Sequence, residues 1–344
     1  MANMKDIADR AGVSVATVSK VLNKQGNISQ ETRNSILAIA KELNYQPNLY
    51  ARSLKKGNSH VIGIITEDLT VFNSSPIIDG IGARCELSGY HYILENLRIN
   101  NLSIDPHTDR YNTLVNDSLN FMQSMQVDGI IFLGCHSHKL MSLPEINIKN
   151  IVFAYCSSAD AMIPYVIYDD KQGAFHATSF LINSGHKNIG TITGLPDSVH
   201  TMNRLTGFQE ALFEHGIPYN PRLTLYGDWQ RDSGYVLAQT LIDRQVTAIF
   251  CHNDDMAMGV MNYCSKNGIE VGKDLSLIGF DDREICTVCR PALTTVALPL
   301  QEIGQEAASI LIHKIENDDD TVRGEILLKC KFVERESTYS LLSE

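Results

Sequence analysis

The chain has 344 residues, of which 44% are hydrophobic and 20% are charged, and its net charge at pH 7 is −11. The length exceeds that of one ordinary domain, and the composition is that of a globular rather than a disordered protein. The first ten residues, MANMKDIADR, lack the apolar segment of a signal peptide, and no run of eighteen apolar residues occurs. We therefore expect neither export nor membrane spanning, and predict a cytoplasmic protein.

The first predicted elements lie in residues 5–23, KDIADRAGVSVATVSKVLN, whose spacing is typical of a DNA-reading helix-turn-helix. Gly12 sits in the turn, where φ can be positive, and Ser14 can cap the second helix. Val18 and Val21 lie about one helical turn apart and can pack against a neighbouring helix. A small structural helical hairpin is the alternative interpretation of so short a motif.

The charge of the chain is unevenly distributed. Residues 1–58 contain nine Lys and Arg against four Asp and Glu, a net of +5, which leaves −16 for the remaining residues. A basic amino-terminal module on an acidic body suits a protein that neutralises DNA phosphates at one end. A merely solvated run of charges would not be expected to coincide with a helix-turn-helix.

Two further elements complete the predicted amino-terminal headpiece. Ser29 can cap a third helix, whose apolar residues share one face at helical spacing: Ile36, Ile39, Ala40 and Leu43. The segment 49–57, LYARSLKKG, is only about two turns long, and isolated helices below ~12 residues are marginal in water. We predict that it is helical only when a partner chain and a DNA groove support it; a plain interdomain linker is the alternative.

From His60 onward, apolar runs alternate with amphipathic segments, which indicates parallel β-sheets covered by helices on both faces. The predicted strands are 61–66, 90–95, 129–134, 150–155, 165–170, 188–193, 247–254 and 275–282. Two successive blocks of this kind predict two doubly wound α/β lobes. A crevice between such lobes places ligands at the carboxyl ends of the strands.

These patterns give a predicted domain organisation. Residues 1–57 form the helix-turn-helix headpiece, with a hinge helix at about 48–56, and residues 58–344 form a two-lobed body with a ligand-binding crevice. The last part of the chain is too short for a third domain and is expected to complete both lobes. We assign 60–158 plus 293–320 to the first lobe and 162–290 plus 322–340 to the second.

The whole chain resembles the lac repressor family. The motifs that carry the resemblance are KDIADRAGVSVATVSKVLN, PNLYARSLKKG, NSGHKNIGTITG, RLTGFQEAL, IFCHNDDMAMGV, and LSLIGFDD followed by PALTTV. The resemblance implies a DNA-binding homodimer, sometimes a tetramer, with an effector domain like the periplasmic sugar-binding proteins. No leucine heptads follow the last predicted strand, which favours a dimer.

The resemblance also implies which headpiece residues meet operator DNA. Val15 and Ala16 would contact a thymine methyl group, and Lys20 would donate to guanine O6 and N7. Because Lys20 stands where many relatives have Arg, bidentate geometry is lost and the preferred base is less certain. Ser14, Thr17, Ser19 and Tyr45 are expected to position phosphates. Val15 as a core residue is the alternative.

Leu54 resembles the hinge leucine that wedges into the minor groove. Prying a base step apart costs a few kcal/mol, which bending of the DNA onto more protein surface offsets. A dimer would thus read an imperfect palindrome. A linker residue that packs on the body is the alternative role.

In the crevice, the resemblance implies effector contacts from Arg204 and Asp281, which can hold a polyol through charge-assisted hydrogen bonds. Trp229, the only tryptophan, can stack on a sugar face. Further positions that resemble the ligand wall are Asn73, Asp169, His200 and Asn253. The alternatives are helix capping for Asp281 and Asn253, a surface ion pair for Arg204, and a core role for Trp229.

A different class of function, catalysis, lacks support in the sequence. The pair Cys286 and Cys289 has CxxC spacing but no second pair or histidines to complete a zinc site. The eight cysteines show no regular framework, as expected of buried thiols in a reducing compartment. Residues 268–273 differ from a phosphate loop, and no G-x-S-x-G motif occurs.

We therefore predict a DNA-binding repressor that is not an enzyme, with no cofactor and no metal. Its predicted partners are operator DNA, a second copy of the chain and a small effector, a sugar or sugar phosphate. A cytoplasmic carbohydrate-binding protein that does not act on DNA is the alternative function.

Overall fold

The computed structural model of the protein describes residues 3–22, 25–45, 58–100, 102, 108–136, 139–140, 150–158, 160–318 and 320–342. The chain divides into two compact units between Ser59 and His60, against a predicted boundary at residue 57. The predicted hinge helix and Leu54 lie outside the described residues. Within these ranges, no helix combines the length and apolar character needed to cross a bilayer.

The first unit contains three helices, α1 (Met4–Ala11), α2 (Val15–Leu22) and α3 (Gln30–Glu42). Local sequence signals set their ends: Asn3 and Asp6 form a capping box on α1, which stops at Gly12 with φ +64°. Ser29 caps α3 by accepting the Thr32 N–H. The helices share one buried cluster, formed by Ile7, Ala8, Val18, Val21, Ile36 and Ala40.

The second unit is an α/β structure, as predicted. Its amino-terminal elements are β1 (Val61–Thr66), α4 (Ser74–Ser88), β2 (His91–Asn96), α5 (Asp109–Ser124), β3 (Gly129–Leu133), β4 (Lys139–Leu140), β5 (Ile151–Ala154), β6 (Ser157–Ser158) and β7 (Tyr165–Tyr168). Next come α6 (Asp170–Asn183), β8 (Ile189–Thr193), α7 (Val199–Glu214), a 3₁₀ turn (Pro221–Leu223), β9 (Thr224–Tyr226), α8 (Arg231–Asp243), β10 (Ala248–Cys251), α9 (Asp254–Lys266) and β11 (Ser276–Ile278). The last are α10 (Ile285–Val288), β12 (Thr295–Ala297), α11 (Leu300–Asn317), β13 (Glu325–Leu328) and β14 (Lys331–Val333).

The first lobe is built on a six-stranded parallel sheet in the order β13, β7, β5, β3, β1, β2. Alternate strand residues enter different cores, because side chains point to opposite faces of a strand. Ile64 and Ile131 pack with residues of α4 and α11, while Ile65 and Ile130 pack with residues of α5. Both faces of this sheet are therefore covered.

The second lobe is built on a four-stranded parallel sheet in the order β11, β10, β8, β9. Phe250 packs with residues of α6 and α7, whereas Ile249 packs with residues of α8 and α9. Strands β12 and β14 form an antiparallel pair beside this lobe. A bridge between Asp281 and Ala297 joins the pair to it.

The predicted lobe boundaries need correction at three strands. Strand β12, which the sequence analysis assigned to the first lobe within 293–320, pairs with β14 and bridges to Asp281 of the second lobe. Strands β7 and β13, which the sequence analysis assigned to the second lobe, both belong to the first sheet: β7 pairs with β5, and β13 pairs with β7. The chain crosses between the lobes at about residues 169, 298 and 329. A strand that ends one lobe and a strand that starts the next have the same apolar pattern, so the sequence could not locate the crossings.

Candidate functional site

The predicted base-reading residues lie on an accessible face of the headpiece. The Val15 side chain is 43% exposed, and Ala16 and Lys20 are also exposed, so the alternative of Val15 as a core residue is wrong. Ser14 caps α2 by accepting the Thr17 N–H at 3.1 Å. Two exposed apolar groups at the start of a recognition-type helix and one cation in its last turn form a surface that can enter a major groove.

The remaining predicted headpiece contacts are placed less uniformly. Thr17, Ser19 and Tyr45 are all half-buried. The Tyr45 ring packs against the apolar cluster of the headpiece, which leaves its hydroxyl group as the part available to a phosphate. The role of Leu54 stays a prediction, because the residue lies outside the described ranges.

In the body, Arg204 is the centre of a buried polar cluster. Its side chain is 3% exposed, so the alternative of a surface ion pair is wrong. Its Nε donates to Asp170 Oδ1 at 2.6 Å, and its Nη2 donates to the Tyr168 hydroxyl at 3.0 Å. Its Nη1 donates to the carbonyl oxygen of His252 and lies 3.6 Å from Asp281 Oδ1. Tyr168 belongs to the first lobe and Arg204 to the second, so this cluster joins the two.

Asp170 is the residue that the sequence analysis missed. It directly follows Asp169, but the two carboxylates have different roles in the structure. Asp169 caps α6 by accepting the Gln172 N–H at 2.9 Å, whereas the buried Asp170 pairs with both Arg204 and His200. Burial alone would raise the pKa of Asp170, but the adjoining His200 and Arg204 outweigh it and hold that pKa below its usual value.

His200 and two tyrosines form an aromatic wall beside this cluster. The His200 ring stacks on Tyr168 with centroids 5.6 Å apart, and its Nδ1 lies 2.7 Å from Asp170 Oδ2. Tyr155, at the end of β5, lies 5.4 Å from Tyr168 between ring centroids. Burial raises the pKa of both tyrosine hydroxyls. They therefore remain neutral hydrogen-bonding groups at physiological pH.

Asp281 faces Arg204 in a strained backbone conformation. Its φ is +113°, a region that non-glycine residues rarely adopt and that is often found at functional sites. It does not cap α10, whose N-cap residue is Glu284, so the capping alternative is wrong. Burial raises the pKa of Asp281 well above its usual range, although Arg204 opposes that shift. Its carboxyl oxygens can accept hydrogen bonds from a ligand.

Asn253 and Trp229 are coupled to each other. Asn253 caps α9 by accepting the Met256 N–H and donates its Nδ2 to the Trp229 carbonyl oxygen at 2.9 Å, so the capping alternative holds for Asn253. The half-buried Trp229 has a positive φ of +71°. A Cβ atom on Gly194 would collide with its indole ring. The Arg204 guanidinium lies 5.6 Å from the centroid of that ring.

The first lobe contributes polar groups from the segment after β1. Asn73 is buried, and its Nδ2 has no hydrogen-bond partner, as is also true of the Thr66 hydroxyl at the end of β1. The neighbouring Phe72 ring meets the Arg283 guanidinium of the second lobe at 5.2 Å. Unpaired buried donors are costly, so a ligand that accepts from Asn73 would stabilise this arrangement.

The cysteines show no sign of a reactive or metal-binding centre. Cys286 is buried and Cys289 is half-buried, and burial raises the pKa of both thiols. In the part of the chain that the structure describes, no three His, Cys, Asp or Glu side chains are grouped to hold a metal ion. These thiols fit the predicted role of buried core residues.

Comparison with known proteins agrees with both units. The profile of bacterial regulatory proteins of the lacI family matches residues 3–48, and that of the periplasmic binding protein-like domain matches residues 178–338. The chain is 33% identical to the transcriptional repressor CytR of Escherichia coli (strain K12) over 99% of this chain and 97% of that protein.

Two solved structures extend the similarity to the fold. The lac repressor dimer bound to operator and the anti-inducer ONPF matches with a TM-score of 0.80 and 26% identity, over 98% of this chain and 99% of that one. A sugar-binding lacI-family regulator from Escherichia coli complexed with phosphate matches with a TM-score of 0.64 and 26% identity, over 82% of this chain and 99% of that one.

Proposed function

Because the chain belongs to the lacI family of bacterial regulatory proteins, we propose that it is a transcriptional repressor that binds a pseudo-palindromic operator as a homodimer and responds to a small effector. It regulates transcription and is not an enzyme. We further propose that it acts in the cytoplasm and that its effector is a carbohydrate. The observation that carries the proposal is the exposed surface of Val15, Ala16 and Lys20 on a well-packed helix-turn-helix.

On the DNA side, we assign base contacts to Val15, Ala16 and Lys20. A lysine ammonium is a flexible point charge, so it can donate to guanine but imposes less angular preference than a guanidinium. Ser14, Thr17, Ser19 and Tyr45 carry hydroxyl groups suited to phosphate oxygens, which fix the register of the protein on the duplex.

On the effector side, the binding residues are those that the two lobes bring to the carboxyl ends of their strands. Arg204, Asp281 and His200 provide polar contacts, and Trp229 provides an apolar face for a sugar ring. Asn73 contributes from the first lobe. The buried link from Arg204 to Tyr168 crosses between the lobes, so a ligand that changes it would favour one lobe arrangement over another, which is the requirement for allosteric control.

The test is a selection of genomic fragments on the full-length protein at low ionic strength, followed by titration of the enriched duplex. We expect an enriched palindromic sequence whose affinity falls steeply with salt and changes when an effector from a sugar panel is added. Lys20→Ala should weaken base preference, and Lys41→Ala, which removes the same charge from α3, is the control. If no fragment is enriched with or without sugars, the alternative of a carbohydrate-binding protein that ignores DNA gains the support.

A further inference from the structure

The positive charge of Arg204 is largely used within the protein. A guanidinium has five N–H donors, and in Arg204 three of them are given to Asp170, Tyr168 and the carbonyl oxygen of His252. A fourth donor, on Nη1, faces Asp281 at 3.6 Å. The ring of Phe280 covers one face of the guanidinium at 3.7 Å. At most one N–H remains for a ligand.

The other arginines near the carboxyl ends of β10 and β11 are also paired with acids. Arg283 forms an ion pair with Asp255, and Arg335 pairs with Asp282 at 2.7 Å. A third acid, Asp254, is the first residue of α9 and accepts from the Thr295 hydroxyl and from the Arg283 backbone N–H. Among the described residues of this region, acids therefore match or outnumber the arginines.

With the imidazole of His200 uncharged, the local charge around Arg204 is neutral or negative whichever form Asp281 takes. With Asp281 ionised, Asp170 and Asp281 together exceed the single charge of Arg204. With Asp281 protonated, Asp170 alone cancels it. A buried phosphate dianion needs compensating positive charge, because its desolvation is otherwise far too costly.

The groups that lack partners in this region are uncharged dipoles. His252 is fully buried with both ring nitrogens unpaired, and burial beside Arg204 lowers its pKa well below the usual value, so the ring is neutral. The Thr201 hydroxyl, one turn before Arg204 on α7, and the Asn73 amide are also buried without a partner. Such groups complement hydroxyl groups and do not compensate a charge.

We infer that the cleft takes an uncharged, hydroxyl-rich ligand and rejects its phosphorylated counterpart, and that Asp170 is the specificity-determining residue because it neutralises Arg204. The inference rests on the proposed function, in which this cleft binds a small effector. It narrows the effector class from sugars and sugar phosphates to sugars without a phosphate group.

The test compares anion binding by full-length wild-type protein and Asp170→Asn. The amide oxygen of Asn can still accept from Arg204 Nε, so the variant removes the charge and keeps the hydrogen bond. Inorganic phosphate binding is measured by calorimetry and thermal shift at about pH 8, where an imidazole in water is neutral, against chloride at equal ionic strength. Asp243→Asn is the matched control, because it removes an exposed acidic charge at the end of α8, from a residue assigned to no binding site.

We expect wild type and Asp243→Asn to bind phosphate no better than chloride, and Asp170→Asn to bind it about tenfold more tightly than wild type. Adding Arg204→Gln to Asp170→Asn should remove that gain. In pairs such as ribose and ribose 5-phosphate, any preference of wild type should favour the uncharged sugar. Should Asp170→Asn fail to fold by circular dichroism, the wild-type comparison of each sugar with its phosphate decides the test.

Tighter binding of phosphate or of a phosphorylated sugar by wild type would overturn the inference, as would a charge-removing variant that gains no phosphate affinity. The same protein samples are titrated with operator DNA. If the wild-type protein does not bind DNA, only the proposed repressor function is contradicted. The phosphate result bears only on the charge of the cleft.

Discussion

Replacing Arg204 by Gln tests whether the buried cluster holds the body together. The substitution leaves the carboxylate of Asp170, which is 5% exposed, without its guanidinium. Removing one partner of a buried ion pair costs about 3 to 5 kcal/mol, and loss of the cation contact with Phe280 at 3.7 Å adds up to about 2 kcal/mol. The remaining contact of Asp170 with His200 at 2.7 Å offsets part of this loss.

We therefore expect Arg204→Gln to lower the free energy of unfolding of the body by about 3 to 5 kcal/mol. The control is Arg231→Gln, whose side chain is 49% exposed and lies 3.6 Å from Asp255; an exposed pair of this kind contributes at most about 1 kcal/mol. Urea unfolding followed by circular dichroism measures both, and gives the slope that reports whether unfolding stays cooperative.

A double-mutant cycle with Asp170→Asn assigns the loss to the pair. Once the carboxylate is neutral, removing the guanidinium no longer leaves a buried charge, so the double variant should lose about 1 to 3 kcal/mol less than the sum of the single variants. Strict additivity would refute the reasoning, because it would mean that the two side chains do not stabilise each other. At temperatures where Arg204→Gln is folded, it should bind operator nearly as wild type but no longer respond to effector.

Four further outcomes follow from the described contacts. The folded-state pKa of Asp170 is lowered, so the stability that its carboxylate contributes is present above its unfolded pKa of about 3.9. That contribution is lost as the pH falls below this value. Asp170→Asn should therefore flatten the acid side of the stability profile, measured by urea titrations at different pH. A Cβ atom on Gly304 would collide with the Ile77 carbonyl oxygen where α11 crosses α4, so Gly304→Ala should lower stability by about 1 to 3 kcal/mol despite its gain in helix propensity; an unchanged melting temperature would contradict this close approach. Lys20→Ala should relax base preference at one operator position per half-site, by about 1 to 3 kcal/mol, in competition assays with single-base operator variants; uniform weakening at all positions would identify a phosphate contact instead. Trp229 fluorescence should change on effector binding and be lost in Trp229→Phe, and saturable binding without any such change would place the ligand away from the indole.

Local signals made the headpiece predictable. The capping residues of its helices and the buried Val18 and Val21 are separated by only a few residues. Such short-range signals predict the helices and their packing directly. The buried strands were predictable for a related reason: each is a short apolar run that ends in polar residues. The edge strand β9, which has only three residues and ends in the exposed Tyr226, lacks that pattern and was not predicted.

The pairing of strands and of site residues was less accessible. The sequence YVIYDD presents two carboxylates after β7, and only the backbone turn decides which one enters the cluster. The structure turns Asp169 toward the helix end and Asp170 toward Arg204. The partners of Asp170 lie 30 or more residues away along the chain, so no local pattern could reveal them. A similarly long range separates β13 from β7 and hid their pairing. The place of β7 was hidden instead by its apolar pattern, which would fit a strand of either lobe.

The site and the crossings between the lobes occupy the same short segments of chain. Asp170 follows the first crossing directly, and the backbone N–H of Asp169 donates to the Leu328 carbonyl oxygen beside the third. The strained Asp281 bridges to Ala297, which precedes the second crossing.

A ligand that contacts Arg204 and Asp281 therefore acts on the segments whose dihedral angles set the lobe arrangement, and it needs no long chain of intervening side chains to do so. This placement predicts that substitutions at Ala297 or Leu328, which do not belong to the polar cluster, alter the effector response while leaving effector affinity closer to wild type than Arg204→Gln does. Titration of effector binding and of the effector-dependent change in operator affinity on the same variants would separate the two effects. An equal loss of both would show that the crossings merely support the pocket.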